Sequence, residues 1–191
     1  QMAGGPSEQS RPMKGDYSDL LIRLRHYPKP LIARVNGHAM GGGLGIVAAS
    51  HFAVGLAPAK LGTPEVDVGL FPMMIMRVLA PLMPRRALVR MMLLGERYEA
   101  PRAAELGLLG RVVGDIDGLD AAVHELVTSI EAKSPITLRL GLEAMAQQEE
   151  LSFREALPYL QRQLGAVLAT DDAAEGLQAF LQKRPPVWQG K

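Results

Sequence analysis

The run Met40-Gly41-Gly42-Gly43-Leu44-Gly45 is the first place in this chain where residue types and spacing suggest chemistry. Glycine lets the backbone come close to a ligand and adopt positive φ. The small residues that follow, Ile46-Val47-Ala48-Ala49, read as a helix. The first N–H groups of a helix have no partner inside it, and their dipole end favours negative charge. Residues 41–43 can therefore present an N–H to an anion, either a phosphate or the oxyanion that forms in acyl chemistry. Tight packing of a helix on a strand would account for the same glycines. The glycines at 37, 41, 42, 43 and 45 do not give G-x-G-x-x-G, and no Gly-Lys-Ser/Thr is present. A dinucleotide-binding module thus has little support, and a Walker loop has none.

Glu65 is the second candidate. It follows Pro64 and precedes an apolar run broken only by Asp67. A carboxylate at the edge of an apolar pocket suits proton transfer; a surface turn residue is the plain alternative, and more so for Asp67. The histidines at 26, 38, 51 and 124 have no metal-ligand spacing, and His38 beside the glycine loop reads as a hydrogen-bonded side chain. No G-x-S-x-G surrounds Ser50, so a nucleophile elbow is excluded. With Cys 0, disulfides, thiolate metal sites and cysteine nucleophiles are also excluded.

These residues must be held by something. Leu20, Leu21, Leu24 and Tyr27 predict a helix over 16–27, stopped by Pro28 and Pro30, after a loop over 1–15. Leu31 to Val35 predicts a buried strand ending at Asn36-Gly37. The glycine loop and a small-residue helix come next. Strands are expected over 51–56 and 60–65, helices from Met73 and over 85–94 and 101–106, and a last strand over 110–113. Alternating strands and helices imply an α/β layer. From 117 to 183 the pattern is helical throughout. Ser134-Pro135 starts one helix, the Ser152/Glu155 capping box another, and Asp171 and Asp172 suit the dipole of a third. The division falls at 1–116 and 117–191, and no internal repeat is evident.

Composition excludes several classes. The 191 residues are 48% hydrophobic and 21% charged, a globular balance. Lys+Arg 21 against Asp+Glu 20 gives +1, with no basic block interleaved with aromatics, so no nucleic-acid partner is expected. No stretch approaches the roughly 20 apolar residues of a membrane span, and no signal peptide opens the chain. The absence of cysteine fits a reducing compartment, and a cytoplasmic location is expected.

Several motifs, in order, carry a family resemblance. Lys29-Pro30-Leu31-Ile32-Ala33 running into Asn36-Gly37-His38-Ala39-Met40-Gly41-Gly42-Gly43 resembles the core signature of the enoyl-CoA hydratase/isomerase (crotonase) family. Thr63 to Pro72 is similar to its second signature. Leu94-Gly95-Glu96, Ala100 to Leu109 and Val112-Val113 follow its next stretch. Asp172, Glu175-Gly176 and Ala179 to Pro185 resemble its C-terminal helix. The resemblance implies a spiral of ββα units with a C-terminal helical trimerisation region, and a homotrimer or a dimer of trimers. It implies an acyl-CoA substrate, coenzyme A entering as the thioester with no separate cofactor and no metal. Gly42 would supply one oxyanion N–H. Glu65 would be the acid/base. Met40, Gly41 and Met73 would line the substrate, and Phe180 and Lys183 would meet the adenine and phosphates, often from a neighbouring subunit.

Three departures shape the expected activity. The family hydratases use two glutamates, and here the first position is Gly45. A single carboxylate resembles the enoyl-CoA double-bond isomerases, so isomerisation is expected ahead of an atypical hydration. After Pro72 the usual glycines are replaced by Met73-Met74-Ile75-Met76, which either line an apolar acyl pocket or fill it. The aspartate that dienoyl-CoA isomerases and aryl-CoA dehalogenases place near here is lacking. Finally, the family's early strands and the loop with the other oxyanion N–H are expected to precede Gln1. The 191 residues are then part of a longer product or a degenerate member. The alternative is a non-catalytic relative that binds acyl-CoA or only assembles.

Overall fold

Two strands leave each turn of this chain in different sheets. In the computed structural model, which describes residues 16–191, β1 (Ile32–Val35) runs parallel to β3 (Phe52–Leu56), Ile32 opposite Phe52. β3 in turn runs parallel to β6 (Arg111–Val113). In the second sheet β2 (Ala39–Met40) runs parallel to β4 (Lys60–Gly62), Met40 opposite Gly62, and β4 pairs antiparallel with β5 (Arg97–Glu99). Helix α2 (Gly42–Ala49) follows β2, and α3 (Met73–Leu79) follows β4. The segments β1-β2-α2 and β3-β4-α3 are thus successive ββα turns of an α/β spiral. A repeat not evident in the sequence exists in the backbone, because the two turns share strand positions and not residue types.

The core lies between the two sheets and their helices. Leu44 of α2, Leu61 of β4, Leu79 of α3 and Met91 of α4 (Arg85–Leu94) are fully buried in one cluster. Each contributes about 1.5–3 kcal/mol by leaving water. Short α5 (Ala100–Glu105) closes this layer with Ala100 and Ala103. α6 (Ile116–Glu131) covers the other face of the first sheet, Leu119 and Ala122 packing on Val54. α7 (Pro135–Gln148), α8 (Phe153–Leu168) and α9 (Asp171–Leu181) pack on one another. Ser134 Oγ accepts the Thr137 N–H at 3.2 Å, and the Ser152/Glu155 capping box is present.

Local chemistry modifies four expectations. The strand expected over 60–65 stops at Gly62, and Pro64–Val68 is a 3-10 turn, since Pro64 fixes φ and has no N–H for a ladder. Strand β5 was not foreseen in three residues as polar as Arg97-Tyr98-Glu99. In α1 (Tyr17–Arg25) the apolar stripe sits in another register: Leu21 is buried, whereas Leu20 and Tyr27 are exposed and Tyr17 is half-buried. The loop expected over 1–15 lies outside the described residues.

Asp172 gives the fourth. Asp171 and Asp172 stand in the first turn of α9, as expected, with Thr170 as its cap. Asp172 is buried, accepting from Ser134 Oγ (2.7 Å) and the N–H groups of Gln189 (2.7 Å) and Gly190. Burial alone would raise its pKa, but these hydrogen bonds outweigh it and hold the carboxyl below its usual range. Glu175 clasps the same segment. It receives Arg184 at 2.6 and 2.8 Å and the Val187 N–H at 2.8 Å, and these bonds lower its pKa from 4.5 to about 2. Trp188 lies on Gly176, where a Cβ would meet its ring at 3.2 Å, and its indole N–H donates to the Ala132 carbonyl at 2.9 Å. The motif residues Asp172, Glu175 and Gly176 thus hold the last residues against α7 and α9.

Because the Glu175 pKa is depressed, its contribution to stability is present above pH 4.5 and is lost as pH falls toward about 2. Thermal melts between pH 5 and 2 should show the wild type losing its advantage over Glu175→Gln across that window. Parallel curves for the two proteins would contradict this role.

Candidate active site

The site begins with a backbone that only glycine adopts readily. Gly41 has φ 52° and ψ −125°. Its N–H donates to the Gly62 carbonyl at 2.9 Å, extending the β2–β4 pairing by one bond, and the chain then turns into α2. Gly41 is the N-cap and supplies no side-chain bond, so α2 starts uncapped. Gly42 and Gly43, read in the sequence as loop, are the first two residues of the helix. Their N–H groups meet no acceptor among the described residues.

Glu65 is carried to this point by the 3-10 turn after β4. Its carbonyl accepts from Gly69 and Leu70, which locks the turn. Its Oε1 is 2.7 Å from where a Cβ on Gly41 would stand. Its Oε2 is buried and has no hydrogen-bond partner. A buried carboxylate oxygen left without a partner costs stability, which makes it conspicuous. The other acids raised by the sequence are committed: Asp67 pairs with Arg97 at 2.9 Å. His38 accepts the Lys60 N–H at 3.1 Å, a structural bond as expected.

The remaining predicted residues divide in two. Met40 and Gly41 flank the start of α2 and are half-buried. Met73 opens α3 beside the Glu65 turn and is exposed, as are Met74 and Met76, whereas Ile75 is buried. The core is therefore filled by Ile75, and the three methionines are exposed, as is Leu70. Phe180 and Lys183 lie at the end of α9, whose principal neighbours are α7 and α8. Phe180 is 81% exposed, and Lys183 has φ 54°. The principal packing of α9 is thus away from the turn that carries Glu65.

Tyr17 was missed. Its hydroxyl donates to the Gly42 carbonyl at 2.7 Å, and a Cβ built on Gly45 would fall inside that hydroxyl oxygen. Burial, and then the charge of Glu65, push the phenol above its usual pKa, so it stays protonated. Its signal in the sequence is indirect. A glycine inside a helical run marks the close approach of another group, but Gly45 does not say which group approaches.

A cavity lies elsewhere. About 580 Å³ opens between α2, β3 and α6, lined by Val47, His51, Leu109 and Glu125 among others, and not by Glu65 or Gly42. Its polar groups are engaged. His51 Nδ1 accepts the Leu31 N–H at 2.9 Å, burial lowers its pKa, and Glu125 pairs with Arg111. Among the described residues no cluster of three or more acidic or histidine side chains could hold a metal, and no helix is long and apolar enough to cross a membrane.

Comparison with known proteins gives the family. The enoyl-CoA hydratase/isomerase family model matches residues 1–191. A probable enoyl-CoA hydratase of Bacillus subtilis is 32% identical over 173 residues, covering 90% of this chain and 67% of that protein. A carnitinyl-CoA dehydratase of Salmonella paratyphi A is 33% identical, with 90% and 67% covered. The crystal structure of an enoyl-CoA hydratase from Mycobacterium smegmatis superposes with TM-score 0.87 at 31% identity, covering 90% of this chain and 66% of that one. The chain thus spans about two thirds of the length of these relatives.

Gly41→Ala tests the geometry directly. The added Cβ would press on Glu65 and hold a strained φ, at about 1–2 kcal/mol. A lowered thermal midpoint, measured by calorimetry, is expected; an unchanged midpoint would contradict the close approach.

Proposed function

The chain belongs to the enoyl-CoA hydratase/isomerase family, and from that premise we propose that it moves a proton on an acyl-CoA thioester, with Glu65 as the acid/base and the Gly42 N–H as an oxyanion donor. The observation that carries the reading is the buried, unpartnered Oε2 of Glu65 beside the uncapped start of α2. A carboxylate in that state is free to take a proton. An amide without an acceptor, at the positive end of a helix dipole, is free to stabilise a developing oxyanion.

The reaction we favour is double-bond isomerisation. The Glu65 carboxylate removes a C2 proton from a 3-enoyl thioester. The electron pair spreads over C2 to C4 and the thioester oxygen, and the oxygen's charge is met by the Gly42 N–H. The protonated Glu65 returns the proton at C4, leaving the double bond between C2 and C3. One base and one enolate stabiliser suffice. Position 45, where a second carboxylate would start, is glycine with its space filled by the Tyr17 hydroxyl. Hydration or dehydration is the second reading, favoured by the names of the relatives, a hydratase and a dehydratase. Coenzyme A would enter only as the substrate thioester.

The coenzyme end of the site is proposed to be completed between subunits. Phe180 and Lys183 are exposed on α9, suited to an adenine ring and to phosphate, and a neighbouring copy would present them to Glu65. The exposed Leu164, Leu168, Leu177 and Leu181 on α8 and α9 supply apolar surface for a trimer or a pair of trimers.

Turnover of a 3-enoyl-CoA in ¹⁸O-labelled water, followed by mass spectrometry, separates the readings. An unlabelled 2-enoyl product of the same mass is expected. A 2-enoyl-CoA offered in the same water should gain no label, and a labelled 3-hydroxyacyl product from it would establish hydration instead. Glu65→Gln should lower the rate by roughly 10²–10⁴-fold, and an unchanged rate would reject Glu65. Binding without any turnover would turn the assignment to a non-catalytic acyl-CoA-binding relative.

A further inference from the structure

Helix α2 is poorly equipped to hold its own first turn. Its N-cap is Gly41, with no side-chain bond, and Gly42, Gly43 and Gly45 follow. Glycine destabilises a helix relative to alanine, because it has the most backbone freedom to lose. An amide that is to meet a developing oxyanion has to be fixed beforehand, since donors that must reorganise contribute less. The restraint therefore comes from outside the helix.

One side chain meets that turn at three places. Tyr17 opens α1, itself fixed by the Asp16/Asp19 capping box. Its ring edge lies 3.4 Å from where a Gly42 Cβ would be. Its hydroxyl donates to the Gly42 carbonyl at 2.7 Å. The same oxygen fills the space a side chain at position 45 would need. Gly45 and Tyr17 are therefore complementary: the glycine is bare where the phenol arrives.

We propose that Tyr17 is a positioning residue for the oxyanion-binding amide of Gly42, its hydroxyl supplying the restraint that a glycine-built, uncapped helix start lacks. The inference rests on the reading of Gly42 and Glu65 given above. It holds for isomerisation and hydration alike, since both pass through charge on the thioester oxygen. The phenol stays protonated beside Glu65, so the donated bond persists across the working range of pH.

The experiment uses the full chain and acetoacetyl-CoA, a 3-oxoacyl thioester whose enolate absorbs in the near ultraviolet. Bound to the wild type, it should ionise at lower pH than in solution. Tyr17→Phe keeps the ring and removes the bond. With it the apparent ionisation should shift up by about one pH unit, the equivalent of a tenfold loss of enolate stabilisation. Turnover of a 3-enoyl-CoA should fall about tenfold in kcat, the size of one hydrogen bond, with KM within about twofold. Gly45→Ala, which pushes the phenol off the Gly42 carbonyl, should give a similar shift. The double variant should add little to either single one. A wild-type shift that Tyr17→Phe leaves intact, or additive effects in the double variant, would overturn the role of Tyr17 while the site reading stands. A wild type that neither ionises acetoacetyl-CoA nor turns over substrate would reject Gly42 as the oxyanion donor, and Tyr17 with it.

Discussion

The hydrogen bond from the Gly41 N–H to the Gly62 carbonyl is the hinge of this structure. It continues the short β2–β4 ladder past Met40, whose partner in register is Gly62. From that one point the two strands diverge into different tasks. The first turns through a positive φ into α2 and exposes the amides of Gly42 and Gly43. The second runs through Thr63, whose buried hydroxyl is tied to the Met91 carbonyl at 3.1 Å, into the turn that carries Glu65. A one-residue slip between these strands would move Glu65 away from Gly41 and turn alternate side chains to the wrong face. The position of the carboxylate is thus a consequence of strand register.

Several other acids in this protein are committed to structure. Asp172 is buried but saturated with donors, and Glu175 is bound by both arms of Arg184. Asp67, Glu96, Glu125 and Glu149 all pair with arginines. Glu65 stands apart, with one oxygen buried and unpartnered. Burial without a partner is unfavourable for folding and useful for proton transfer. The contrast between Glu65 and Asp172, two acids at motif positions, separates the group we assign to chemistry from one held for architecture.

Much of this was legible in the residues. Proline and glycine mark nearly every element boundary, and Ser134, Ser152 and Gly95 end or begin helices where their chemistry predicts. The α/β layer with its helical tail, the short strands and the family all follow from patterns spread along the chain. What could not be read depended on contacts across distance. Strand β5 is polar and three residues long, and it exists because β4 offers an edge to pair with. The two ββα turns repeat geometry without repeating side chains. Tyr17 is 28 positions from Gly45, and only the fold brings the phenol to the gap the glycine leaves.

The amide assigned to the oxyanion belongs to the main chain, and this affects how the lineage can change. A Cβ at Gly42 would stand 3.4 Å from the Tyr17 ring, ordinary contact, so many replacements there would keep the N–H. Proline is the exception, having no N–H to keep. Inheritance can thus erase this donor by few single steps, while position 73, exposed at the start of α3, remains open to drift. New reactions in such a scaffold arise from altering what surrounds a stabilised anion, with the stabilising group itself shielded from mutation.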